Sequence, residues 1–154
     1  MSTKAESAEL ILKLYDLRRE ETMRQARQWM AQFNPASSED IVNTVTGEHS
    51  AFYRMVMTYW DMAASLVNNG AIDEQMFNDA NLEHVFYFAK IEPYLAEMRE
   101  KFVAPTMFRH LEELIMRRPE AAQQLADMRE RSRRIAAMRA KAEASKQKAV
   151  SGKQ

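Results

Sequence analysis

The sequence predicts an all-α protein, and three observations carry that prediction. Apolar residues recur at steps of three and four along most of the chain, the period of a helix face. Turn formers are scarce, with 3 Gly and 4 Pro in 154 residues. The proline and glycine residues mostly fall between the periodic segments, where they punctuate helices. The expected architecture is a single irregular bundle of roughly five to seven helices with a protruding basic C-terminal helix and a disordered tail. Residues 1–118 are expected to form the bundle, 119–145 the basic amphipathic helix, and 146–154 the tail.

Taken in order, Thr3 or Ser7 is placed to cap a first helix that runs to about Asn34, where Pro35 stops it. Ile11, Tyr15, Ala26, Trp29 and Phe33 fall near one stripe of that helix, and its middle, Arg18 to Thr22, is polar on nearly every side. Pro35 to Ser38 reads as a linker. Ser37 with Asp40 resembles a capping box, with Ser38 as the other candidate cap, for a short helix through Ile41, Val42 and Val45 that ends at Gly47. Glu48 to Asn69 is the most apolar segment, and Gly70 stands where a left-handed residue usually closes a helix. An apolar face that wide requires neighbours on several sides, so this helix is expected at the centre.

Asp73 is placed to cap a short helix through Met76 and Phe77, and Asn81 or Asp79 to cap the next. That next helix carries the stripe Val85, Phe88, Ile91, Leu95, Met98 and Phe102, and Pro93 predicts a kink or break within it. A further helix is expected to begin at Ala104-Pro105-Thr106, with Met107, Leu111, Leu114 and Ile115 inward, and to end at Pro119. Pro119 also suits the first turn of the last helix, Glu120 to about Ser145. Leu125, Met128, Ile135 and Met138 give that helix a thin apolar seam. The segment beyond it lacks apolar anchors.

Composition removes several function classes. With Cys 0, the chain has no disulfide framework, no thiolate zinc ligands and no thiol nucleophile. The N-terminal stretch is polar and acidic, and Leu10 to Leu14 is too short and too interrupted for a signal-peptide core. No run of apolar residues is long enough to span a bilayer, so no transmembrane segment is expected. A soluble cytoplasmic protein is the default. Lys+Arg is 22 and Asp+Glu is 22, a net charge of zero.

The motifs of chemistry are sparse. His49, His84 and His110 fall on three different elements, and Glu-x-x-His is absent, so the helical di-iron pattern is missing. His110 with Glu113 offers only the reversed spacing. No metal, catalytic or cofactor-binding residue is assigned. The three glycines, Gly47, Gly70 and Gly152, are too far apart for a phosphate-binding loop. Twelve methionines point to an adaptable core or to a soft helix-binding groove. On the central helix, Arg54, Thr58, Asp61, Ser65 and Asn68 step by four and three and form one narrow polar line. As an active-site edge, that line would use Asp61, with its pKa raised by its apolar neighbours, as a base. Otherwise it is a solvent edge or a seam against a neighbouring helix.

Charge is segregated along the chain. Residues 128–154 hold nine basic against two acidic side chains, and residues 1–127 hold 13 against 20, so a net of +7 faces a net of −7. Arg129, Arg131, Arg133, Arg134, Arg139 and Lys141 are the candidate partner-binding residues. The basic segment suits nucleic acid, an anionic membrane surface or an acidic protein. It lacks the interleaved aromatics of a nucleic-acid platform, and its apolar face is mostly alanine, which is poor membrane anchorage. It could also remain simply solvated or fold back on the acidic body.

The block Trp60-Asp61-Met62-Ala63-Ala64-Ser65-Leu66-Val67-Asn68-Asn69-Gly70-Ala71-Ile72-Asp73-Glu74 resembles a stretch of a bacterial helical family, domain of unknown function 4760 (DUF4760). In that family an aromatic-rich helix runs into a glycine, an Ile-Asp-acid turn and a short helix. Tyr15 to Trp29 and Ile91-Glu92-Pro93-Tyr94 are also similar to it, so the likeness covers roughly residues 10–118. The resemblance implies an all-α bacterial protein and brings no activity or catalytic residues. The reading that results is a non-enzymatic interaction or regulatory module, with a protein partner or self-association. The alternatives are a nucleic-acid- or membrane-associated protein acting through the basic segment, and an enzyme using the Arg54/Asp61 line.

Overall fold

A computed structural model of the chain describes residues 1–152. Its elements in chain order are α1 (Lys4–Leu17), α2 (Glu21–Gln32), α3 (Ser38–Thr46), α4 (Ser50–Asn68), α5 (Glu74–Ala80), α6 (Glu83–Ile91), a 3-10 turn (Glu92–Tyr94), α7 (Leu95–Lys101), α8 (Arg109–Met116) and α9 (Ala121–Ser151). No strand occurs among the described residues. The all-α expectation holds, and the helix count exceeds the expected five to seven. The body is a set of short helices gathered around α4, rather than a bundle of comparable rods.

Two breaks account for the larger count. The expected first helix divides at Arg18 to Glu20. The Glu20 carboxylate accepts the backbone N–H groups of Thr22 (3.0 Å) and Met23 (2.9 Å), so an acidic side chain caps a new helix inside the polar middle. At the other break, Glu92-Pro93-Tyr94 tightens into the 3-10 turn between α6 and α7, as Pro93 predicts. The start of α8 also moves, from Ala104 to Arg109. Val103 and Phe108 both take left-handed backbone at φ 51°, and the Phe108 ring turns edge-on to Tyr53 at 6.5 Å. The left-handed Phe108 and its contact with Tyr53 mark the entry to α8.

Several local signals act where the sequence places them. Thr3 and Glu6 form a complete capping box on α1, while Ser7 is buried and its hydroxyl accepts the N–H of Asp73. Ser37 caps α3 and Asp73 caps α5. Asp40 reaches past Ser37 to the N–H of Ala36, so the expected capping box is only half formed. Gly70, at φ +75°, closes α4. Asn81 donates to the Phe77 carbonyl and so closes α5, instead of capping α6.

α4 packs against α2, α3, α5, α6 and α8. Trp60, Met57, Phe77, Phe88, Met30 and Leu111 are fully buried around it. The stripe Val85, Phe88, Ile91, Leu95 and Met98 is buried, with Phe102 packed at its edge. Methionines divide between the two expected roles: Met23, Met30, Met57, Met98 and Met128 fill the core, and Met62, Met116 and Met138 are exposed. α9 packs on α6 and α8, burying Ala121, Leu125 and Met128, and Ser132 is its last buried residue. Met138, expected in the apolar seam, is 66% exposed. α9 runs six residues past the expected end at Ser145, because alanine, lysine and glutamine favour helix and no breaker intervenes before Gly152. Residues 146–151 of the expected tail are therefore helical, and 153–154 lie outside the described residues.

Candidate functional site

The polar line of α4 is two different surfaces. Arg54 and Thr58 face solvent, and the Thr58 hydroxyl donates to the Arg54 carbonyl. Ser65 donates to the Met62 carbonyl of the same helix. Asp61 is half-buried, and its carboxylate accepts the N–H of Leu111 at 2.9 Å. Leu111 lies in the first turn of α8, which begins from the left-handed Phe108 and has no side-chain cap at that position. Asp61 therefore acts as a cap supplied from another helix, placing negative charge at the positive end of α8. Asn68 donates to the His110 carbonyl at 3.1 Å and accepts from Arg117 at 2.8 Å. Arg117 also grips Glu74 of α5. Asp61 and Asn68 thus form a hydrogen-bonded seam that fixes α8 on α4, while Ser65 between them bonds within α4.

The three histidines remain apart in the fold. His49 stacks on Trp29 with centroids 5.1 Å apart. Glu113, the expected companion of His110, faces Arg109 at 3.7 Å. His84 is 1% exposed and lies between Trp60 (5.5 Å) and Phe77 (5.1 Å). Neither of its ring nitrogens has a hydrogen-bond partner among the described residues. Burial, helped by the charges of Arg118 and Arg18, pushes its pKa down to about 3. Among the described residues, no group of three or more His, Asp or Glu side chains is arranged to hold a metal ion.

The most unusual polar group is one that the sequence reading passed over. Lys90 is 4% exposed, and its ammonium donates to the carbonyls of Met30 (2.8 Å), Ala31 (2.9 Å) and Phe33 (2.8 Å). These carbonyls belong to the end of α2, so one cation closes the negative terminus of that helix. The Phe86 ring lies 4.7 Å from the same ammonium. Burial draws the pKa of Lys90 down to about 7, and Arg139 adds to the effect. A sequence signal did exist: Lys90 is the single charged residue in the run Val85 to Ile91.

Lys90 borders a cleft of about 340 Å³ at the root of α9, walled by Tyr94, Arg129, Arg133 and the Asn34–Ala36 segment. Arg129 is folded onto the body, donating to the Ala89 carbonyl at 3.1 Å and to Glu92 at 3.3 Å. Arg133 and Arg134 both pair with Glu130. Arg131, Arg139 and Lys141 are exposed, and so is every residue from Ala136 to Ser151. Of the six candidate partner-binding residues, the structure thus ties Arg129 to the body, sets Arg133 against the cleft and Arg139 against a neighbouring groove, and leaves Arg131, Arg134 and Lys141 exposed along α9. No helix of the described residues is long and apolar enough to cross a membrane.

Cationic and hydrogen-bonding side chains thus gather around the cleft at the root of α9. A family model described as a domain of unknown function (DUF4760) matches residues 3–118, which takes in α1 to α8 and stops short of α9. The chain belongs to that family. No curated protein and no solved structure matches it.

Proposed function

We propose that this DUF4760 protein is a non-enzymatic interaction or regulatory module of the bacterial cytoplasm, with α9 as its docking element and an acidic protein as its partner. One observation carries the reading: residues 136–151 are helical, yet exposed on every side. A helix of that length is only marginally stable alone in water, and helices are normally held by packing an apolar face. Its charge is nearly all of one sign, with Arg139, Lys141, Lys146 and Lys148 against Glu143. The basic segment holds no aromatic residue, which disfavours base stacking, and its alanines offer little to a bilayer.

The test compares the full chain with a chain ending at Ile135. Both should unfold with the same midpoint, because the removed residues pack on nothing. Immobilised full chain should retain acidic proteins in a salt-sensitive way, and the shortened chain should not. Neither should bind duplex DNA or vesicles containing phosphatidylserine. Equal retention by the shortened chain would overturn the reading. Salt-steep binding to duplex DNA, or co-sedimentation with the vesicles, would replace it with the nucleic-acid or membrane alternative.

A further inference from the structure

α9 leaves the body at a defined point. Ser132 is 6% exposed and turns its hydroxyl back to the Met128 carbonyl. Beyond Ser132 the helix separates from the body and opens a wedge on each side. One side is the cleft of about 340 Å³ that Lys90 borders. The other is a groove of about 390 Å³ whose apolar lining comes from Ala31, Phe86, Ile135, Ala136 and Ala140. Asn34 and Ser132 line both, so the two form one trough around the root of the helix.

Three features of the trough specify its occupant. Its lining runs along α9 from Ser132 to Ala140, about 12 Å at 1.5 Å per residue, or two turns of a helix laid alongside, with Ile135, Ala136 and Ala140 as its apolar part. Ala136 and Ala140 keep that side open where larger residues would fill it. The charged side chains at its margin are mostly cations: Lys90, Arg129, Arg133 and Arg139, against the single acid Glu143. Glu92 already neutralises Arg129, whereas Glu130 is shared between Arg133 and Arg134 and leaves that cluster with a net positive charge; Arg139 stands on the groove side, near enough to Lys90 to depress its pKa. A floor two turns long, apolar from Ile135 to Ala140, beneath a cationic margin matches a helix with two or three apolar anchors on one face and carboxylates beside them.

We infer that the trough around the root of α9 receives an acidic amphipathic helix of a partner protein. The inference rests on α9 being the docking element and adds where on it the partner sits and what the partner looks like. The apolar anchors enter against Phe86 and Ile135, and the carboxylates meet Arg133 and Arg139. A basic helix is repelled at the same margin.

A displayed library of random helical peptides, selected on the full chain at physiological salt, tests this. The enriched pool is expected to carry net negative charge and apolar residues at i, i+3 or i+4, and i+7. Two variants then locate the site. Ala136→Trp fills the groove at an exposed position that leaves the core untouched, and should weaken the selected peptides at least tenfold. Lys141→Glu/Lys146→Glu/Lys148→Glu alters only the outer arm and should weaken them less than threefold. A pool without acidic enrichment, or no enrichment over the bare surface, overturns the inference. So does full binding to Ala136→Trp. If the arm triple variant abolishes binding while Ala136→Trp does not, the trough is wrong and the docking role of α9 stands. If neither variant matters, both fall.

Discussion

Acidification is expected to weaken this fold through His84, and the size of the effect follows from its surroundings. In the unfolded chain a histidine titrates near 6.5, whereas in the folded protein burial holds His84 near 3. Between those values the unfolded chain binds a proton that the native imidazole refuses. Stability is therefore full above about pH 7 and falls as pH drops through 6.5 toward 3. At about 1.4 kcal/mol per pH unit, the loss between pH 7 and pH 4.5 is roughly 2–3 kcal/mol from this residue alone. Carboxylates also titrate over that range, so the comparison is with His84→Phe, which keeps an aromatic ring between Trp60 and Phe77 and has no nitrogen to protonate. Removing two unpaired buried polar atoms should itself stabilise by about 1 kcal/mol at pH 7. Urea unfolding followed by tryptophan fluorescence at pH 7, 5.5 and 4.5 reads the difference. The variant's advantage should grow by about 1 kcal/mol at pH 5.5 and about 2–3 kcal/mol at pH 4.5. An advantage that stays constant within about 0.5 kcal/mol would refute the account of His84 as a buried, unpartnered neutral ring.

Three further outcomes are expected. Asp61→Ala removes the cap that α4 supplies to α8 and should cost about 1 kcal/mol, with hydrogen exchange accelerated at Leu111 and its neighbours but not in α6. Lys90→Ala leaves the carbonyls of Met30, Ala31 and Phe33 without their cation and should cost about 2–4 kcal/mol in urea unfolding; a loss below about 0.5 kcal/mol would mean that water entering the cleft replaces the ammonium. Gly70→Ala forces a Cβ onto backbone at φ +75° and should cost about 1 kcal/mol, read as a lower thermal midpoint.

The parts of the fold that local chemistry determines were legible in the sequence. The stripe from Val85 to Phe102, the stop at Gly70 and the cap at Asp73 each depend on residues within a few positions of one another. The break at Glu20 was missed because glutamate is an uncommon cap, and the polar run around it reads equally well as an exposed stretch of one long helix. The late start of α8 depends on Phe108 meeting Tyr53, which is 55 positions away in the chain. The site divides in the same way. The polar line on α4 was visible from spacing. Its purpose was not, because Asp61 and Leu111 become neighbours only after folding. The cationic character of α9 was plain, but the trough at its root is made jointly with α2 and α6, and no segment alone announces it. Lys90 was visible only as an anomaly in an apolar run.

The length of α9 beyond Ser132 changes what zero net charge means for this molecule. Helical residues 144–151 carry the tip about 12 Å past Glu143, the last residue that lines the groove against α2 and α6. In physiological salt a charge is screened over about 8 Å, so the tip lies more than one screening length past that groove. At that range the negative charge of the body only partly cancels the field of the arm. A passing macromolecule meets a cation at one end of the protein and an anion at the other, and the resulting dipole turns the molecule arm-first toward an acidic surface before contact.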